Sequence, residues 1–198
     1  MIGKYASDIR IYVRQRPILK RYLKEGVVNC SALAKSIAKN VYGNKSGEIA
    51  IRAALLREAK KGGDYEEIEE GALKVLRGST LEVRTGLCVA LSKNPIRVPV
   101  VVISTSKSGV MSVIEEENSK KVKTYDKIIR GVDMITICSG KDIESTPGVM
   151  ALLVTTLSQE GINIVEITSC HYDTLLVVDS ADTQRAFAIL QGLTKKKG

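Results

Sequence analysis

The stretch "STPGVMALLVTTLSQEGINIVEI", Ser145 to Ile167, decides the fold. A Thr-Pro-Gly turn leads into an apolar run of helical period, Glu160-Gly161 breaks it, and a β-branched run follows. Pro147 suits the first turn of a helix, where a backbone N–H would have no intrahelical partner. The pattern predicts a helix from Pro147 to Glu160, capped by Ser145 or Thr146. Working outward, "VDMITICSG" (Val132 to Gly140) reads as a strand before it. "INIVEITSC" and "DTLLVVDS" read as strands after it, joined by a short His171-Tyr172-Asp173 turn, and "ADTQRAFAILQGL" reads as a closing helix. The order β-α-β-β-α is nearly the split βαβ, ferredoxin-like pattern.

Upstream, the period changes to two. In "TLEVRTGLCVAL", Leu81, Val83, Leu87, Val89 and Leu91 alternate, which predicts a strand with one buried face. Val98 to Thr105 reads as a buried strand and Gly109 to Glu117 as a third, hairpin-connected through "SKSG"; "ENSKKVKTYDK" is a polar connector. Before these lies "DYEEIEEGALKVLR", an amphipathic connecting helix. Its Glu66, Glu67, Glu69 and Glu70 lie toward the positive end of the helix dipole.

Charge sets the first third of the chain apart. Residues 1–62 hold 14 Lys or Arg against 4 acids, a net of +10, within a chain whose total is +8. The remainder is therefore slightly acidic, and a basic module of this kind attracts polyanions through phosphate neutralisation. Residues 5–25 read as helical, with Pro17 interrupting the helix or starting a second one. Ile18, Leu19, Tyr22 and Leu23 give a buried stripe. Ser31 is the expected cap of the next helix, with Ala32, Leu33, Ile37 and Ala38 at helical spacing. After a Gly/Asn/Ser turn, "EIAIRAALLREAKKGG" predicts a helix with Ile49, Ala53 and Leu56 facing inward, closed by Gly62-Gly63. Lys45, Arg52, Arg57, Lys60 and Lys61 are the expected nucleic-acid contacts. Helix, helix, turn, helix resembles a helix-turn-helix or winged-helix module, whose last helix enters the DNA major groove. No side chain is assignable to a base edge, so the expectation is backbone affinity for double-stranded DNA.

Other classes are disfavoured. One Phe, seven Tyr and no Trp leave few platforms for stacking single-stranded bases. No run of about 18 apolar residues offers a membrane span, and the N-terminus lacks a signal peptide's apolar core, so a cytoplasmic location is expected. Cys30, Cys88, Cys138 and Cys170 stand apart, with no CxxC and a single His171; four buried, reduced thiols and no metal are expected. His171 and Asp173 lack a placed nucleophile, and "CSGKD" lacks phosphate-loop spacing, so no catalytic residue and no cofactor is assigned.

The residues "STPGVMALLVTTLSQEGINIVEITS…TLLVVDSADTQRAFAIL" resemble an ACT domain, especially those of the regulatory region of aspartate kinases. The resemblance covers about residues 132–193. More loosely, the chain is similar to archaeal ACT-containing proteins predicted to regulate amino-acid metabolism. It implies a small amino acid held between a loop side (Thr146, Pro147, Gly148, Val149, Met150) and a facing side (Ile162, Asn163, Ile164), usually between two ACT units. Helix-initial N–H groups favour a carboxylate, and an Asn amide can serve both ends of an amino acid. The ACT sheet has a fourth strand after its second helix, whereas this chain ends "LQGLTKKKG". The vacant edge at Met134 to Cys138 would invite pairing. A strand from residues 79–117 is therefore expected to complete the sheet.

The fold class expected is thus α+β: a basic helical, helix-turn-helix-like domain over 1–77, then an ACT-like domain over 78–198. The function expected is a non-catalytic, amino-acid-responsive regulator, homodimeric through its ACT domain and contacting DNA through its helices. The alternative is a protein-interaction subunit that docks on the ACT domain of an amino-acid-metabolism enzyme.

Overall fold

The structure, a computed structural model, describes residues 2–43, 47–61 and 65–195. The chain forms two compact units, residues 1–65 and 66–198. The division falls before the connecting helix, whereas the sequence suggested 77/78.

The first unit holds α1 (Ile2–Arg14), α2 (Pro17–Lys24), α3 (Cys30–Tyr42) and α4 (Glu48–Lys60). Pro17 starts α2. Asn29, not Ser31, caps α3: its side chain accepts from the N–H groups of Ser31 and Ala32, two orphan donors of the first turn. α4 contacts α1, α2 and α3. Its inward face is Ile51, Ala54, Leu55 and Glu58, packed with Ile9, Val13, Leu23, Ile37 and Ala38. The expected face is overturned, since Ile49 is 88% exposed and Leu56 42%. "EIAIRAALLREAK" carries two apolar stripes, and periodicity cannot say which one meets the core. Ile18 and Tyr22 are likewise exposed, while Leu23 is buried. Glu58, mostly buried, pairs with Lys61 at 2.6 Å and Arg10 at 3.7 Å. The Tyr42 hydroxyl donates to Asp8, and burial, then that carboxylate, pushes its pKa up to about 12.

The second unit holds α5 (Tyr65–Leu76), β1 (Thr80–Ser92), β2 (Val102–Ser106), β3 (Gly109–Glu115), a 3-10 helix (Glu116–Lys121), β4 (Lys127–Cys138), a short 3-10 turn (Lys141–Glu144), α6 (Val149–Gln159), β5 (Ile164–Cys170), β6 (Asp173–Asp179) and α7 (Thr183–Thr194). One antiparallel sheet runs β2-β3-β1-β4-β6-β5. β1 fills the place of the fourth strand as expected, with Thr80 opposite Cys138 and Arg84 opposite Met134. The sheet curls, so residues of both edge strands, Ser104 and Ser106 of β2 and Glu166 and Thr168 of β5, line one cleft of about 310 Å³.

β1 does not keep one buried face. Its pairing with β4 shifts register between Arg84 and Val89, around Gly86 (φ 73°). An extra residue in one strand of a pair turns the following side chains to the other face. Leu81 therefore packs against the helix-covered core, whereas Leu87, Val89 and Leu91 line the inside of the curl. Buried Asp133 holds the junction. Its carboxylate accepts from the Gly86 N–H at 3.1 Å and the Thr183 hydroxyl at 2.8 Å, tying the bulge to the start of α7.

On the outer face, α5, α6 and α7 cover Ile135, Ile137, Leu176 and Val178 through Ala72, Leu76, Leu153, Leu157, Ala186 and Leu190. Full burial of each such Leu or Ile is worth about 1.5–3 kcal/mol. Past the bulge α5, α6 and α7 give way to the 3-10 helix Glu116–Lys121, which contacts β1, β3 and β4. Cys88, Ile114 and Val122 form a small core with Ile96, Val98 and Ile128. The strand expected at Val98 to Thr105 is shorter and mostly exposed: Pro95 and Pro99 keep that segment a loop, and β2 starts at Val102 on the sheet edge.

Candidate functional site

The loop singled out by the sequence connects the 3-10 turn Lys141–Glu144 to α6. Thr146 Oγ1 donates to the Asp142 carbonyl at 2.7 Å, and the Thr146 N–H donates to the same oxygen at 3.0 Å. The Thr146 hydroxyl therefore builds the loop and does not cap the helix. The N-cap is Gly148 (φ 92°), and no side chain accepts from the first turn of α6. The expected cap at Ser145 or Thr146 is corrected accordingly. The leading N–H groups of α6 have no side-chain partner at this cap.

Of the eight residues expected around a ligand, Thr146 and Gly148 are half-buried in the loop itself, and the other six fall into two sets. Val149 and Ile162 are buried in the helix-covered core, and Ile164 packs against it. Val149 and Ile162 therefore carry the wall and do not present side chains to solvent, while Ile164 is half-buried. Pro147, Met150 and Asn163 are exposed. Met150 is also tethered, since Thr174 Oγ1 of β6 lies 3.8 Å from its sulfur.

The sequence reading missed the partner of this loop, α5. A Cβ at Gly148 would lie 2.6 Å from Ile68 Cγ2 and 3.9 Å from the Ala72 Cβ. A Cβ at Gly71 would lie 3.6 Å from the Thr146 methyl. Gly148 is thus needed twice: its φ disfavours any side chain, and Ile68 occupies the space one would take. The available signal was Gly71-Ala72 inside a helical run, a small pair that lets another backbone approach.

In the first unit Arg52, Arg57, Lys60 and Lys61 are exposed on or beside α4. Arg57 Nε donates to the Ala53 carbonyl, and Lys61 is engaged by Glu58. Lys45 and the closing Gly62-Gly63 lie outside the described residues. The thiols are free, but only Cys88 is buried; Cys30 and Cys138 are half-buried and Cys170 is exposed, against the expectation of four buried. Burial raises the Cys138 pKa, and Asp173 raises it further; burial likewise raises Cys88, so both stay protonated at neutral pH. His171, at φ 50° in the β5–β6 turn, has Nδ1 3.6 Å from Glu144. Among the described residues no group of three His, Cys, Asp or Glu is placed to hold a metal, and no helix is long and apolar enough to cross a membrane.

The family model described as "ACT domain" matches residues 128–192, from β4 to α7, and none of the helical unit. No curated protein sequence matches the chain. A solved structure from Vibrio cholerae, a protein of unknown function described as a possible transport protein, is similar at 18% identity and TM-score 0.52, over 65% of this chain and 98% of that one. An aspartate kinase from Clostridium acetobutylicum is similar at 16% identity and TM-score 0.48, over 58% of this chain and 34% of that one. The regulatory subunit of aspartate kinase from Thermus thermophilus is similar at 10% identity and TM-score 0.47, over 60% of this chain and 99% of that one. The Vibrio likeness is one of fold, and the other two are weaker.

Proposed function

We propose that the chain is a non-catalytic regulator whose ACT-type unit binds a small amino acid at the start of α6. The observation that carries this reading is the loop 146–150, which delivers α6 with no side-chain cap inside the region matched by the ACT family model. Uncapped N–H groups and the positive end of the dipole suit a carboxylate. Asn163 is exposed at the start of β5, and its carbonyl oxygen can accept from the ligand's ammonium. Pro147 and Met150 would meet the side chain. A bound amino acid would bear on Gly148 and through it on Ile68 of α5, the first element after the helical unit in the chain. Ligand binding that favours one setting of α5 would give the site an output by differential affinity. A homodimer joined at this site, with one loop facing another, is part of the proposal.

The test is a thermal-shift screen of the full chain against the twenty amino acids. A ligand bound only by the native state raises the Tm by mass action. One amino acid, or a few related ones, should stabilise the chain, and Asn163→Ala should remove the shift. No shift with any of them sinks the reading.

For the helical unit, the +10 charge and the exposed Arg52, Arg57 and Lys60 support contact with duplex DNA, read as a steep salt dependence of binding to unrelated sequences. A second reading has its own observation. Ile49, Ala53 and Leu56 form an exposed apolar stripe along α4, flanked by those cations. Such a stripe fits an apolar groove with an acidic rim on a protein partner better than a phosphate backbone. Ile49→Ser with Leu56→Ser should abolish a protein complex and leave DNA binding unchanged.

A further inference from the structure

The half of the sheet past the bulge carries a cleft of about 720 Å³ that no part of the amino-acid reading uses. One wall is the loop after β1, with Lys93 and Arg97; the other is the connector into β4, with Lys121, Lys123, Tyr125 and Asp126. We propose that this cleft binds a nucleoside polyphosphate, its phosphates held by Lys93, Arg97, Lys121 and Lys123 and its base against Tyr125.

Both walls are built rather than draped. Ile96 and Val98 of the first and Val122 of the second are rooted in the same small core over Cys88 and Ile114. Ser92 Oγ donates to the Asn94 carbonyl at 2.7 Å, and the Asp126 N–H donates to the Leu91 carbonyl at 2.7 Å, closing both walls onto β1. Pro95 restricts the first wall further. Both walls are thus anchored at their bases, and the cleft's volume lies within the range of sites for small organic molecules.

The charge is one-sided and unspent. Four cations face a single carboxylate, that of Asp126. Among the described residues Lys93, Arg97 and Lys123 have no carboxylate partner, and Lys121 Nζ donates only to the neutral amide oxygen of Asn118, at 2.9 Å. Like charges gathered without counter-charges are unfavourable in the empty protein and are relieved by a multiply charged anion. A monocarboxylate would leave most of that repulsion in place, whereas a di- or triphosphate matches it. Tyr125, 48% exposed, with Pro95 and Ile96, adds an apolar lining that inorganic polyphosphate would not use. The base is the group that would.

The experiment is calorimetric titration of the full chain with ADP and, separately, with inorganic pyrophosphate at low salt. Both should bind saturably at one site per chain, ADP more tightly. Lys93→Glu and Arg97→Glu should each weaken both probes about ten- to a hundredfold, as expected for lost charge-assisted hydrogen bonds. Tyr125→Ala should weaken ADP and spare pyrophosphate. Lys107→Glu, an exposed charge reversal on the β2–β3 turn outside the cleft, should change neither. Circular dichroism confirms that each variant folds. No saturable binding of either probe overturns the proposal, as does an equal loss from Lys107→Glu. Equal affinity for the two probes, untouched by Tyr125→Ala, overturns the nucleoside assignment. The amino-acid screen reads a different site, so either result can fail alone.

Discussion

The same two strands, β1 and β4, run through two halves of one sheet that are finished in different ways. From Thr80 to Arg84 and Val132 to Cys138 they lie under α5, α6 and α7, with twelve fully or nearly buried residues in that core. From Leu87 to Ser92 and Lys127 to Ile129 the outer-face cluster holds three buried apolar residues, Cys88, Ile114 and Val122, beside a loop and the 3-10 helix Glu116–Lys121. The first half resists solvent with α-helices, the second with a loop and that 3-10 helix. A thick cover leaves no room for a cleft, whereas a thin one rooted at its edges leaves the 720 Å³ opening between its two walls. The thick cover and the 720 Å³ cleft thus lie along the same pair of strands, on either side of the bulge at Gly86.

The largest effect should expose that asymmetry. Leu153→Ala, fully buried under the helices, should cost about 2–5 kcal/mol in chemical denaturation, from lost transfer energy plus the cavity left behind. Ile114→Ala in the thin half should cost less, because its cluster holds three buried residues against twelve and the cavity left is bounded by fewer of them; an equal loss would erase the distinction between the halves. Asp133→Ala should follow, at about 1–3 kcal/mol, because it frees the Gly86 N–H and the Thr183 hydroxyl together. Hydrogen exchange should then rise on both sides of the bulge, and protection confined to one side would show that Asp133 does not join them. Gly148→Ala should cost about 1–2 kcal/mol, from its positive φ and from Ile68. Ile68→Ala in the same chain should recover part of the loss, which a purely backbone penalty would not allow. Smallest of all, Arg84→Ala removes the ion pair to Glu115 that spans the two halves on the surface. Exposed pairs contribute under about 1 kcal/mol, so a larger loss in urea unfolding would mean that the junction rests on charge more than on Asp133.

The fold of the C-terminal half was open to reading because its signals are local. Pro147-Gly148 before an apolar run, Glu160-Gly161 after it and β-branched runs on either side each specify one element through short-range sterics. The vacant strand position was legible too, since an unpaired edge at Met134 to Cys138 invites a partner and residues 79–117 read as strands. Of the expected ligand residues, periodicity could not separate buried Val149 and Ile162 from exposed Pro147 and Asn163. All sit at one loop and one strand start, and burial depends on what packs above them.

What the sequence by itself determined, then, is the element order, the ACT-type pattern and the concentration of positive charge in the first third, because turn chemistry, side-chain period and charge are properties of neighbouring residues. Only the tertiary structure decided which stripe of α4 faces inward, on which side of the bulge Leu87 points, that α5 lies on Gly148, and that Lys93 and Lys123 share a cleft. Each of these is a meeting of segments distant along the chain. It is settled by which apolar faces bury best together, and that competition leaves no mark in any single stretch.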